Sequence, residues 1–304
     1  MKTLDVISIG AVLLDINAKV ERFPSIDDEV FVPELIMSGG GSAANIAIAC
    51  SRLGLKSAFI GKIGKDANGE FLKKEFLKEN VNINGLVQDT NYNTGMCFIP
   101  VSKGERMIFA HSGAANHLNP EDIKKNQILS TKIVLLASLK NLKPLIQAAE
   151  YAKDEDILVA LNPGTLIADQ DYGTTKELVQ LTDIFISSEK ELNKIMNEKY
   201  TNISLKKILK MGPSVVAMTR GSKGALISEK NQRKEIPAYK VKVVDTTGAG
   251  DSFTAGFLAG YLEGKDLEIC GKMGNANAAI LIQNIGARNQ LAKKEILEDF
   301  IKKN

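Results

Sequence analysis

The chain has 304 residues, 44% hydrophobic and 25% charged, and 39 basic against 36 acidic side chains leave a net charge of +3. That is globular composition, long enough for one large α/β domain or a core with a small appendage, and it excludes a disordered chain. The charges are scattered without a basic block, so nothing favours nucleic acid or a membrane surface over small molecules.

The first residues enter a strand-like pattern at once, without the apolar core of a signal peptide, and no run approaches the ~18–20 apolar residues of a membrane span. Cys50, Cys97 and Cys270 are isolated, with neither a disulfide framework nor metal-ligand spacing. A soluble, cytoplasmic protein with reduced cysteines is expected.

Along the chain, short aliphatic runs at 6–9, 57–60, 133–137, 157–161, 184–186 and 215–219 alternate with segments of helical period at 42–53, 68–79, 143–152, 249–262 and 268–283. Alternation of this kind predicts right-handed βαβ units and a doubly wound, mostly parallel sheet with helices on both faces. The strands are continuously apolar, which fits burial on both sides. Two stretches depart from the pattern. Residues 17–37 hold short alternating pieces, 17–21 and 29–32, around Phe23-Pro24 and Pro33. Residues 94–112 read as a hairpin of 96–101 and 106–111 joined by Ser102-Lys103-Gly104-Glu105. Together they predict a small sheet, either a lid over the sheet's end or plain edge strands, within a single domain spanning 1–304.

The strongest motif is Asp245-Thr246-Thr247-Gly248-Ala249-Gly250-Asp251, read as closing a strand-like run at Val243-Val244 and feeding an apolar helix. Gly248, Ala249 and Gly250 leave their N–H groups open to a ligand at the positive end of a helix dipole, which suits an anion. Asp251 falls in the first helical turn, where it either caps the helix or accepts a hydroxyl proton. A second cluster, Gly39-Gly40-Gly41-Ser42-Ala43-Ala44-Asn45, opens an Ala-rich helix and offers an amide to hydroxyl groups, or serves packing alone. Thr219-Arg220-Gly221-Ser222-Lys223-Gly224 sits between strands as a phosphate cradle or an ordinary turn. Gly10 and Asp15 follow the first strand, where the carboxylate either holds sugar hydroxyls or caps a turn. There is no GxxxxGK[ST], no GxGxxG after the first strand and no HExxH. The two histidines, His111 and His117, fall in or beside the expected hairpin.

In this order the motifs resemble the ribokinase-like (PfkB) family of sugar and nucleoside kinases, from the first strand to Gly286-Ala287. One diagnostic segment runs from Gly40-Gly41-Ser42-Ala43-Ala44-Asn45 through Leu53-Gly54 to Gly61-Lys62-Ile63-Gly64-Lys65-Asp66. The other runs from Asp245 to Asp251 and on to Ala255-Gly256. The resemblance implies Asp251 as catalytic base with Gly248, Ala249 and Gly250 as its anion hole. It implies Asp15, Asn17, Gly40, Gly41 and Asn45 as the acceptor site, and Ser188, Thr219, Gly221, Gly224 and Asn277 about the nucleotide. Glu191 would serve Mg2+ indirectly, and Asp245 and Thr247 would hold a monovalent cation, K+. ATP is the implied donor, and the small sheet the implied lid and homodimer interface. Two departures stand out: Ser188-Glu189-Lys190-Glu191 replaces the family's Asn-x-x-Glu, and Ala137-Ser138-Leu139-Lys140 lacks the acidic residue that ribokinases proper carry there.

The function expected is phosphorylation of a hydroxyl, primary by preference, on a sugar or sugar derivative. A nucleoside kinase with Phe23, Phe98 or Phe109 stacking on a base is the alternative. A phosphorylated sugar facing Arg106 and a non-catalytic sugar- or nucleotide-binding regulator are further alternatives.

Overall fold

The aliphatic runs read from the sequence become the centre of a nine-stranded sheet. The computed structural model describes residues 2–103, 105–229 and 232–304. The chain begins with β1 (Leu4–Ile9), β2 (Leu13–Lys19), β3 (Glu34–Gly40), α1 (Ser42–Arg52), β4 (Ser57–Gly64), α2 (Ala67–Lys78) and β5 (Asn82–Asp89). It continues through β6 (Thr94–Ser102), β7 (Glu105–Arg106), β8 (Phe109–Gly113), α3 (Lys125–Ile128), β9 (Thr131–Ala137), α4 (Lys143–Lys153), β10 (Leu158–Asn162), α5 (Gly164–Ala168) and α6 (Tyr172–Gln180). Then come β11 (Ile184–Ser188), α7 (Glu189–Ile195), α8 (Thr201–Ile208), β12 (Val215–Thr219), β13 (Ala225–Glu229), β14 (Gln232–Ile236), α9 (Ala249–Leu262), α10 (Leu267–Leu281) and α11 (Lys294–Lys303).

The large sheet has the order β14-β13-β12-β11-β10-β9-β1-β4-β5. The strands from β5 to β12 run parallel, and β13 and β14 close one edge as an antiparallel hairpin. Side chains of one strand alternate between two cores. Val6, Ile133 and Leu135 pack toward α1, α9 and α10, while Ile7, Val134 and Leu136 pack toward α4, α6 and α8. The strand order runs outward in both directions from β1, so the crevice at the C-terminal ends of β1 and β9 is the place where such sheets bind ligands.

The small sheet springs from that same end. β2 pairs antiparallel with β3 and parallel with β6, and β6 takes β7 and β8 antiparallel. Three expectations are corrected here. Residues 29–32 form no strand; the strand begins after Pro33, at Glu34, and runs to Gly40, so Gly39 belongs to a strand rather than a loop. The hairpin's return strand is broken at Met107 and Ile108, where the Met107 N–H bonds the Pro100 carbonyl. Gly104, in the expected turn, lies outside the described residues. Val243 and Val244 are about half exposed and not in a strand; the N–H groups of Val244 and Asp245 bond the Ile282 carbonyl after α10 instead. That anchor, not a β-ladder, places the glycine turn.

α9 is apolar on nearly every side, with Ser252 through Gly260 all buried. A helix apolar all round is stable only inside a core. Phe257, wholly buried and stacked near Phe253 and Tyr261, anchors it. Phe257→Ala should therefore cost about 3–5 kcal/mol of unfolding free energy, read from the denaturant midpoint at unchanged slope. A loss below ~1 kcal/mol would mean that α9 is not seated as described.

Candidate active site

At the C-terminal ends of the parallel strands lies a cavity of about 400 Å³. Ser138, Asn162, Ser188 and Thr219, from the ends of β9, β10, β11 and β12 or just beyond, line one side. Gly248, Ala249, Gly250 and Asp251 line the other. Gly248 is the residue before α9 and has φ 78°, a left-handed conformation that glycine adopts without strain. It turns the chain so that the start of α9 faces the cavity, where the helix dipole favours an anion; the Ala249 N–H is taken by the Thr246 carbonyl.

Asp251 follows within that first turn and is partly buried. Its Oδ1 accepts a hydrogen bond from Ser42 Oγ at 2.5 Å and its Oδ2 one from Asn45 Nδ2 at 2.8 Å. Burial pushes this carboxyl up to about 6; the Ser42 and Asn45 hydrogen bonds pull the other way, Glu191 across the cavity adds to the rise, and Arg288 opposes it. The result is a carboxyl poised to exchange a proton near neutral pH, held beside an anion-binding helix end.

Ser42 and Asn45 belong to α1, which Gly41 precedes, and Asn45 Oδ1 accepts a bond from Arg288 Nε at 2.7 Å. Asp15 lies on β2 opposite Ser38, with Gly40 close enough that any side chain there would overlap the Asp15 carboxyl. Burial raises the Asp15 carboxyl, with Arg288 pulling it down. Asn17 shares the face of Asp15 two residues along the strand. The structure thus brings Asp15, Gly40, Gly41, Asn45 and Asp251 into one neighbourhood.

The expected nucleotide residues separate. Ser188 and Thr219 line the cavity, whereas Gly221, Gly224 and Asn277 do not. A side chain at Gly224 would overlap the Ile236 carbonyl, so that glycine serves the β12–β13 turn. Asn277 is buried between α9 and α10, where its Nδ2 bonds the Ser252 carbonyl and its carbonyl accepts from Ser252 Oγ. Ser188 caps α7 in a reciprocal box: its Oγ accepts from Glu191 N–H, and Glu191 Oε2 accepts from Ser188 N–H at 2.8 Å. Serine caps as well as asparagine does, so the local geometry that presents Glu191 to the cavity survives the replacement.

Asp245 Oδ1 accepts from the N–H and Oγ of Thr247, and its Oδ2 from Gly286 N–H at 2.9 Å. Burial works upward on this carboxyl, but those bonds hold it below the ordinary range. Arg106, on β7, reaches across to Thr247 Oγ1 at 2.6 Å. Among the described residues no cluster of three or more His, Cys, Asp and Glu side chains forms a metal site. Apart from Asp251, Glu191 is the acidic residue of the cavity lining, a donor set that fits a hydrated divalent ion carried by a polyanionic ligand. Asp245 and Thr247 offer oxygen donors of the kind a hard monovalent cation takes, although both Asp245 oxygens already accept hydrogen bonds.

Several lining residues carried no signal in the sequence reading. Asn162 is buried, with Nδ2 bonded to Thr254 Oγ1 at 2.8 Å on α9, and Thr165 stands beyond it. An asparagine at the C-terminal end of a buried aliphatic strand was the available clue. Arg288 and its partner Glu75 had none.

The sequence profile described as pfkB family carbohydrate kinase matches residues 3–294. A ribokinase of Staphylococcus aureus is 30% identical over 296 residues, covering 94% of this chain and 96% of the relative. A solved nucleoside kinase of Methanocaldococcus jannaschii superposes with a TM-score of 0.90 at 28% identity, covering 100% of this chain and 99% of that one. A ribokinase of Arabidopsis thaliana complexed with ribose and ATP also gives 0.90, at 26% identity, covering 98% and 99%.

The Asp251 environment predicts a titration midpoint near 6 in the free protein, about two units above an ordinary aspartate. Carbon-detected NMR of carboxyl-labelled protein, with Asp251→Asn to assign the signal, measures it directly. A midpoint near 4 would contradict the desolvated setting described above.

Proposed function

The chain belongs to the pfkB family of carbohydrate kinases, and from that premise we propose that it transfers the γ-phosphoryl group of ATP to a hydroxyl, primary by preference, of a sugar or sugar derivative. The observation that carries this reading is the placement of Asp251. Its carboxyl lies at the end of the nucleotide-sized cavity and is hydrogen-bonded to Ser42 and Asn45 on the acceptor side. The relatives whose names state ribokinase, and the ribokinase complex with ribose and ATP, support ATP as donor and a sugar as acceptor.

In the proposed reaction Asp15, Asn17 and Asn45 hold the acceptor's hydroxyls, with Gly40 and Gly41 allowing backbone approach. The reacting hydroxyl donates its hydrogen bond to Asp251. As its oxygen bonds to the γ-phosphorus, the bond from that phosphorus to the bridging oxygen of ADP breaks and the proton passes to Asp251. The N–H of Gly250, at the start of α9, stabilises the charge on the transferring group, while that of Ala249 bonds the Thr246 carbonyl and holds the turn. Ser188, Thr219 and Glu191 face the nucleotide. Glu191 would serve Mg2+ indirectly, and Asp245 and Thr247 would hold K+; such ions would supply charge neutralisation for the phosphates.

The small sheet is proposed as a lid that excludes water. Its two faces differ. Asp15, Asn17 and Cys97 share one face; Ile16, Phe98 and Phe109 lie on the other by the pairing register, with Leu35 and Met37. Phe98 and Phe109 therefore lie on the face opposite Asp15 and Asn17, which weighs against their stacking on a nucleoside base and leaves Phe23 untouched by this register. Leu35, Met37, Phe98 and Phe109 are all exposed instead, an apolar surface suited to a second copy of the chain. Sedimentation should show a dimer that Phe98→Asp dissociates; a monomeric wild type would refute the interface.

A coupled ADP-release assay with MgATP and K+, run over pentoses, hexoses, sugar phosphates and nucleosides, tests the main reading. Turnover above the acceptor-free background is expected with a free sugar, and turnover confined to nucleosides would transfer the assignment to that class. Asp251→Asn should lower kcat by ~10²–10⁴ with ATP binding retained. Because the base acts deprotonated, wild-type kcat/KM should fall as pH drops through about 6 and level off above it. A near-normal kcat in Asp251→Asn would remove Asp251 from the role of base.

A further inference from the structure

One buried cation lies behind the acceptor residues, and no motif pointed to it. Arg288, 8% exposed, sits in the segment before α11 and donates in three directions. Nε bonds Asn45 Oδ1 at 2.7 Å, Nη1 bonds Glu75 Oε2 on α2 at 2.9 Å, and Nη2 bonds the Gly40 carbonyl at 2.9 Å. Gly39 lies against the same guanidinium, and a Cβ there would overlap both Nη1 and the Glu75 carboxylate. The flexible end of an arginine normally moves aside for such a methyl group, but here three bonds hold it in place.

A guanidinium has donors only. The atom of Asn45 that faces Arg288 must therefore be the amide oxygen, and the amide N–H2 must face the opposite way, where it donates to Asp251 Oδ2 at 2.8 Å. A flipped amide would set N–H2 against the guanidinium and a carbonyl oxygen against the Asp251 carboxylate, unfavourable on both sides. Arg288 also fixes the Gly40 carbonyl at the end of β3, a residue whose Cα faces the Asp15 carboxyl closely enough that a side chain there would overlap it. Lysine has the charge without the fork and reaches no such set of acceptors at once.

Resting on the kinase reading above, we propose that Arg288, anchored by Glu75, is a positioning residue that sets the orientation of the Asn45 amide and through it the placement of the proton-accepting Asp251 carboxylate. Arg288 is enclosed and acts through Asn45 and Gly40. The groups acting on Asp251 are Ser42 and Asn45 from α1, Glu191 from α7 and Arg288 from the segment before α11. Of these Arg288 is the cation, so its loss both frees the amide and raises the Asp251 carboxyl.

The test compares Arg288→Met, Arg288→Lys and Gly39→Ala with wild type, after thermal unfolding has established which variants fold. Asp251 titration by carbon-detected NMR needs no substrate, and kcat and KM are measured on whichever acceptor the panel identifies. Arg288→Met should raise the Asp251 midpoint and lower kcat at least ~10-fold, with KM for ATP little changed. Arg288→Lys should return the midpoint toward wild type while kcat stays depressed. Gly39→Ala, which keeps the charge but crowds the guanidinium, should raise the midpoint less and still lower kcat; it carries the test if Arg288→Met does not fold. An unchanged Asp251 midpoint in the folded variant overturns the proposal, as does an unchanged kcat. A wild type silent on every acceptor counts against the kinase reading alone, because the titration is read on the free protein.

Discussion

The packing of α1 beside α9 is the constraint on which the candidate site depends. Asp251 is bound by Ser42 and Asn45, residues 209 and 206 positions away in the chain. Neither helix end alone makes a site. Each is a polar terminus on an otherwise apolar element: Ala43 through Cys50 are buried on α1, and Ser252 through Gly260 on α9. Burial along the helices fixes their positions with core packing, so the separation of the polar ends inherits the precision of the core. A carboxyl on a loop would be placed less well and desolvated less.

Desolvation also creates a problem that the Ser42 and Asn45 hydrogen bonds ease first, and Arg288 after them. Asp15, Asp251 and Glu75 bring three carboxyl groups around one enclosed guanidinium, which burial alone would penalise and which these carboxylates favour. Burial raises both Asp15 and Asp251, and Arg288 opposes both rises. The balance leaves Asp251 near 6 rather than fully protonated at neutral pH, which is where a proton acceptor for a hydroxyl is effective. One buried cation thus couples the electrostatics of the acceptor side to those of the proposed base.

Legibility in the sequence followed locality. The alternation of aliphatic and helical segments was enough for the parallel sheet, because each run is buried on both faces and carries its own signature. The glycine turn before Asp251 was readable for the same reason: residues 248–251 make a helix N-terminus among themselves. What went unread depends on distant partners. Gly224 and Asn277 carry, besides the nucleotide role expected of them, packing contacts with Ile236 and Ser252 that no local pattern announces. Val243 and Val244 have strand composition, but the Ile282 carbonyl takes the backbone bond of Val244 and no ladder forms. Glu75 and Arg288, 213 residues apart, have no shared local pattern at all. Ser188 is the reverse case: a departure from the family pattern that looked consequential leaves the cap intact, since the capping box needs a side-chain oxygen and serine has one.

The small sheet ties two proposed roles together through the pleat of its strands. β2 carries Asp15 and Asn17 on one face and Ile16 on the other, and β6 alternates Cys97 with Phe98 in the same way. A strand is stiff across its pleat, so covering the apolar face restrains the polar one. If Leu35, Met37, Phe98 and Phe109 are buried against a second copy, Asp15 and Asn17 are held with them. If that face stays open, the same residues are free to move with the sheet. Arg106, reaching from β7 to Thr247, crosses from this sheet to the loop of the glycine turn. The proposed lid and the loop of the glycine turn are therefore already joined by a side-chain contact within one chain.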